Sequence, residues 1–62
     1  MNEKRSSAET RELIISAAAK VVITRGASKM TLEAVAAEAG VSKGGLLYHF
    51  PSKDALIEGM IE

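Results

Sequence analysis

Residues Thr31 to Phe50 read TLEAVAAEAGVSKGGLLYHF, and this stretch decides the fold. Thr31 is a good helix N-cap, because its hydroxyl can accept from the first free backbone N–H groups. Glu33 falls in the first turn, where the helix dipole favours a negative charge. Leu32, Val35, Ala36 and Ala39 then form the apolar stripe of a helix two turns long. Gly40 stops it, supplying a left-handed residue without a side-chain clash. Val41 can plug the angle that follows, and Ala36 is small enough to let two helices approach. Ser42 caps another short helix, with Leu46 and Phe50 one turn apart on its inward face. Pro51 disfavours helical geometry at Phe50 and ends the helix there. Two short helices joined by a tight turn containing glycine make a helix-turn-helix. Helices this short do not stand alone and have to be held by packing.

The flanks supply that packing. From Thr10 to Arg25, Ile14, Ala17, Ala18, Val21 and Val22 follow the spacing of an amphipathic helix. Gly26 ends it, and Arg25 in its last turn suits the negative end of the dipole. Ala27 to Met30 reads as a connector. After Pro51, Ser52 caps a further helix with Asp54 in its first turn and a stripe of Leu56, Ile57, Met60 and Ile61. The chain stops at Glu62 in mid-pattern, which reads as a fragment whose last helix continues. Residues 1–8 are expected to be a flexible arm and residues 9–62 the folded domain. No stretch alternates with strand period. The predicted class is all-α: a three-helix, homeodomain-like helix-turn-helix domain plus the start of a fourth, connecting helix.

Composition narrows the function. At 62 residues the chain makes one small domain at most, with little room for a deep catalytic cleft. It has no cysteine and one histidine, His49, so disulfide frameworks and the usual zinc sites are excluded. No apolar run approaches a membrane span, and no signal peptide is evident. A cytoplasmic setting is expected, with no membrane partner. Eight Lys and Arg balance eight Asp and Glu. The charge is uneven, however: residues 31–62 carry two lysines and five acids, yet Ser42 to Lys53 holds both lysines and no acid.

That exception coincides with the most distinctive helix face. With Leu46 at the origin and about 100° per residue, Phe50 falls on the same side. Gly44, Tyr48 and Gly45 point away, and Leu47 and His49 lie on the flanks. Two glycines let a partner's surface approach closely, at a helix-propensity cost of about 1 kcal/mol each relative to Ala. An outward Tyr48 can donate to a phosphate, and Leu47 can contact a thymine methyl group in a major groove. Lys43 and Lys53 flank the helix, Lys43 with no acid nearby in sequence. The N-termini capped by Ser42 and Ser52 offer free N–H groups to phosphates.

The run from Thr31 to Leu56 resembles the DNA-binding domain of the tetracycline-repressor (TetR) family. Its most specific parts are Gly40-Val41-Ser42-Lys43-Gly44 and Tyr48-His49-Phe50-Pro51-Ser52-Lys53. The helix from Thr10 to Gly26 matches as well. The resemblance implies a sequence-specific regulator of transcription, a repressor released by a small-molecule effector. It places residues 43–49 in the major groove as the recognition helix, with Ser42 as its cap and Lys43, Gly44, Gly45 and Leu47 facing the bases. Thr31, Tyr48, His49 and Lys53 would contact phosphates. It further implies a homodimer on a palindromic operator, joined through a C-terminal domain that lies outside this chain and also binds the effector. Many members have Thr, Ser or Ala in place of Gly45 and Tyr in place of Leu47, so the operator sequence does not transfer.

Blander readings stand beside these. Tyr48 can be a half-buried amphipathic side chain, His49 a surface or capping residue, and Lys53 a solvated helix-start residue. The alternative function is a small helical protein-interaction module using the last helix as a sticky stripe. Catalysis is not expected, since Ser42 and His49 lie about 10 Å apart along one helix, too far to pair. No cofactor is expected.

Overall fold

The computed structural model describes residues 6–62. Four helices follow in order: α1 (Ser7–Arg25), α2 (Leu32–Ala39), α3 (Lys43–His49) and α4 (Lys53–Ile61), with a 3-10 turn at Ala27–Lys29. No strand occurs among the described residues.

α1 begins earlier than its apolar stripe suggests. The Ser6 hydroxyl accepts from Glu9 N–H at 3.1 Å, and the Glu9 carboxylate accepts from Ser6 N–H at 3.1 Å. This reciprocal capping box satisfies two of the free donors at the helix start. Ser7 and Ala8, expected in the arm, therefore lie in the helix; residues 1–5 of that arm fall outside the described residues.

The other boundaries follow the local chemistry. Thr31, Ser42 and Ser52 each accept from the backbone N–H three residues on, at 3.0, 3.0 and 3.1 Å. Gly40 is left-handed, at φ 74° and ψ 31°. Its N–H reaches Ala37 O at 3.3 Å, and Val41 N–H reaches Ala36 O at 3.0 Å. These two bonds form a Schellman motif, with Val41 folded back toward Ala36. Phe50 is extended ahead of Pro51 and closes α3 by donating to Leu46 O at 2.8 Å.

α1 lies across α2 and α4, and α2 packs on α3. The core is built from Ile14, Ala17, Ala18 and Val21 of α1, Val35 and Ala36 of α2, Leu46 and Phe50, and Leu56 of α4. Met30, read in sequence only as part of a connector, is also buried, closing the 3-10 turn and joining the core. The α4 stripe is only partly covered. Leu56 is buried and Met60 half-buried, while Ile57 and Ile61 are exposed.

A second knot ties α1, Phe50 and α4 together. The Arg11 guanidinium sits 5.4 Å from the centroid of the Phe50 ring and 3.5 Å from the Glu62 carboxylate. Gly59 of α4 faces the same ring, and a Cβ there would come within 2.6 Å of Phe50 Cε1. Only glycine allows α4 to lie this close to the ring.

Candidate nucleic-acid interface

α3 has two faces with separate tasks. Leu46 and Phe50 are buried and anchor the helix. Lys43, Gly44 and Tyr48 are exposed; Gly45, Leu47 and His49 are half-buried on the flanks. The helical wheel predicts this arrangement except at Gly45, which it places on the outward face and the structure half-buries beside the Ser42 cap. Tyr48 is 80% exposed, an unusual position for a large ring with apolar surface to hide. Its ring meets that of His49 edge-on, with centroids 5.1 Å apart. This contact braces both side chains at the end of α3.

Gly44 on this face is not required by the fold, and Gly45 only modestly. A Cβ at Gly44 would meet nothing within 4 Å, and one at Gly45 would meet only Ser42 Oγ, at 3.2 Å. Neither has a positive φ. The outer surface of α3 is therefore open to a partner down to its backbone.

The N-termini of α2, α3 and α4 carry the residues expected to meet phosphates at Thr31, Ser42 and Lys53. The first turns of α2 and α3 are joined by an ion pair, Lys43 Nζ to Glu33 Oε2 at 2.6 Å. Lys53, first residue of α4, lies along a shallow groove with Ala27 and Met30, just ahead of Thr31. Thr31, Ser42, Ser52 and Lys53 are all exposed. Among the described residues Lys53 forms no ion pair. An N-terminus presents unpaired N–H groups and the positive end of a dipole, so these termini suit an anionic partner.

Lys43 differs from its sequence reading. No acid is near it along the chain, but the fold delivers Glu33 to it across the turn. The Glu33 carboxyl is held below its ordinary range, first by the hydrogen bond from Lys43, then by its own backbone N–H and by the ammonium charge. Sequence reasoning used Glu33 only as a helix-dipole residue and missed this pairing. No local signal marked it, since the partners lie ten residues apart on different helices.

Among the described residues no three His, Cys, Asp or Glu side chains gather as a metal site, and no helix is long and apolar enough to cross a membrane.

The family model described as "Bacterial regulatory proteins, tetR family" matches residues 14–60. The HTH-type transcriptional repressor BepR of Brucella suis biovar 1 (strain 1330) is 40% identical over 58 residues, which are 94% of this chain and 28% of the relative. The HTH-type transcriptional regulator SrpR of Pseudomonas putida is 38% identical over 53 residues, 86% of this chain and 25% of the relative. The nucleoid occlusion factor SlmA of Vibrio campbellii (strain ATCC BAA-1116) is 45% identical over 53 residues, 84% of this chain and 27% of the relative. The chain thus spans roughly a quarter of the length of these relatives. No solved structure matches it.

Proposed function

The chain belongs to the tetR family of bacterial regulatory proteins, and we propose that it docks α3 in the major groove of double-stranded DNA as the reading head of a transcriptional repressor. The observation that carries this is the outward face of α3, open at Gly44 and carrying an 80% exposed Tyr48. Phosphate contacts from Thr31, Tyr48, His49, Lys53 and the N–H groups at the Ser42 cap set the register. Lys43 and Leu47 reach base edges, while Gly44 and Gly45 admit the duplex. With so few reading side chains, sequence-dependent DNA shape carries part of the specificity. Specific binding uses two such domains on a palindrome, spaced by a homodimer that residues outside this chain assemble, in the cytoplasm. A small-molecule effector bound outside this chain releases the operator. The chain itself has no catalytic role.

The test is an amide-shift titration of the isotope-labelled 62-residue chain with a short duplex at low salt. Shifts are expected at Thr31, Ser42 to His49 and Lys53. A second reading, a protein-interaction module, draws on exposed Ile57 and Ile61. Shifts confined to α4, or none at all, would displace DNA in favour of that reading.

A further inference from the structure

The pair between Glu33 and Lys43 places an acid on the surface proposed to meet DNA. Both side chains are more than half exposed, at 67% and 52%. The pair spans the helix-turn-helix from the first turn of α2 to the first residue of α3. A surface ion pair contributes little to folding beyond what an acid in the first turn of α2 gains from the helix dipole. Its electrostatic consequence is larger. Lys43 is one of only two lysines between Ser42 and Lys53, and its ammonium already has a counterion.

We propose that Glu33 is a specificity-determining residue: its carboxylate serves as an internal counterion to Lys43 and suppresses attachment of the domain to DNA of arbitrary sequence. A cation that neutralises a phosphate gains by releasing a condensed salt ion from the duplex. Lys43 held by Glu33 gains nothing in this way, because one charge pair is merely exchanged for another and a carboxylate is left facing the phosphates. Where a base edge offers Lys43 bidentate acceptors, such as guanine O6 and N7, the exchange is compensated. General attraction is thereby lowered more than specific binding.

This inference rests on the DNA-binding reading, and the experiment separates the two. The probe is a random-sequence duplex, and the readout is fluorescence anisotropy from 50 to 200 mM salt. Glu33→Gln is expected to tighten binding and to steepen the logarithmic salt dependence by about 0.9. Its advantage over the parent should therefore be about 3.5-fold larger at 50 than at 200 mM salt. In a Lys43→Gln background the steepening should vanish. Glu38→Gln, which removes the same charge from a pair with Lys20 at 3.4 Å, is the control. An equal steepening from Glu38→Gln, or a steepening that persists without Lys43, would reduce the effect to net charge and overturn the inference. Binding that weakens in Lys53→Ala but is indifferent to Glu33→Gln overturns this inference alone. No binding by the parent or any variant overturns it together with the reading beneath it.

Discussion

Gly44→Ala should move stability and DNA affinity in opposite directions. Gly44 is the second residue of the seven in α3, its φ is ordinary, and a Cβ there meets nothing within 4 Å. Alanine therefore removes the helix-propensity penalty of glycine without strain, a gain of up to about 1 kcal/mol. A chain of 62 residues has a total stability of roughly 3–9 kcal/mol, so this gain is appreciable. It corresponds to a rise in Tm of up to about 4–8 °C in a domain of this size. In the complex the same methyl group enters the space between helix and duplex. Overpacking a close contact costs about 1–3 kcal/mol, which is roughly 5- to 150-fold in Kd. Thermal unfolding by circular dichroism reads the first effect, and anisotropy with a labelled duplex reads the second on the same preparation. A more stable variant that binds more weakly cannot owe its loss to unfolding. A higher Tm with unchanged affinity would show that DNA does not approach α3 at Gly44. A lower Tm would contradict the open environment assigned to that residue.

Four further outcomes are expected. Leu46→Ala empties the fully buried anchor of α3 and should lose about 2–5 kcal/mol in urea unfolding, enough to unfold much of the population; a loss below 1 kcal/mol would mean that α3 is held by other contacts. Gly59→Ala drives a methyl group to within 2.6 Å of Phe50 Cε1, so an overpacking cost of about 1–3 kcal/mol should outweigh the propensity gain of about 1 kcal/mol; a variant as stable as the parent would show that the ring can swing aside freely. Lys53→Ala should weaken binding to every duplex and flatten the salt dependence by about one unit, and an unchanged slope would remove Lys53 from the phosphate contacts. Glu33 has a lowered folded pKa, so its contribution is present above the unfolded value and fades as pH falls through the folded one. Its carboxyl carbon should titrate below 4.5 and move back up in Lys43→Gln; an unmoved midpoint would exclude Lys43 as the main cause.

Features decided within a few residues could be read from sequence. The caps at Thr31, Ser42 and Ser52 each bond three residues ahead, and the turn at Gly40 needs only its own left-handed backbone. The faces of α3 also followed from spacing, because Leu46 and Phe50 are the large apolar residues one turn apart. The start of α1 was misplaced because its apolar stripe begins well inside the helix. The pattern Ser6-x-x-Glu9 was the better signal. Met30 escaped because burial in a connector leaves no periodic trace. The pair of Glu33 and Lys43 joins residues ten apart across a turn, beyond the reach of helical spacing rules. In α4, spacing defines a stripe but not whether a neighbour covers it, and Ile57 and Ile61 remain open.

The chain has five glycines. Gly26 and Gly40 have positive φ, at 98° and 74°, and Gly59 makes room for the Phe50 ring. Backbone geometry and packing account for these three. Gly44 and Gly45 remain, adjacent on the shortest of the four helices, where each lowers helix stability by up to about 1 kcal/mol relative to alanine. Gly45 has a modest local reason, since a Cβ would press on the Ser42 cap at 3.2 Å. Gly44 has none within the domain. The fold compensates for both with the Ser42 cap and two buried anchors, Leu46 and Phe50. A helix weakened where nothing inside the molecule asks for it, and held from behind, fits the docking proposed above. In that docking the partner comes within van der Waals reach of the α3 backbone at Gly44, which is why that position, rather than the charged residues around it, most sharply tests the geometry.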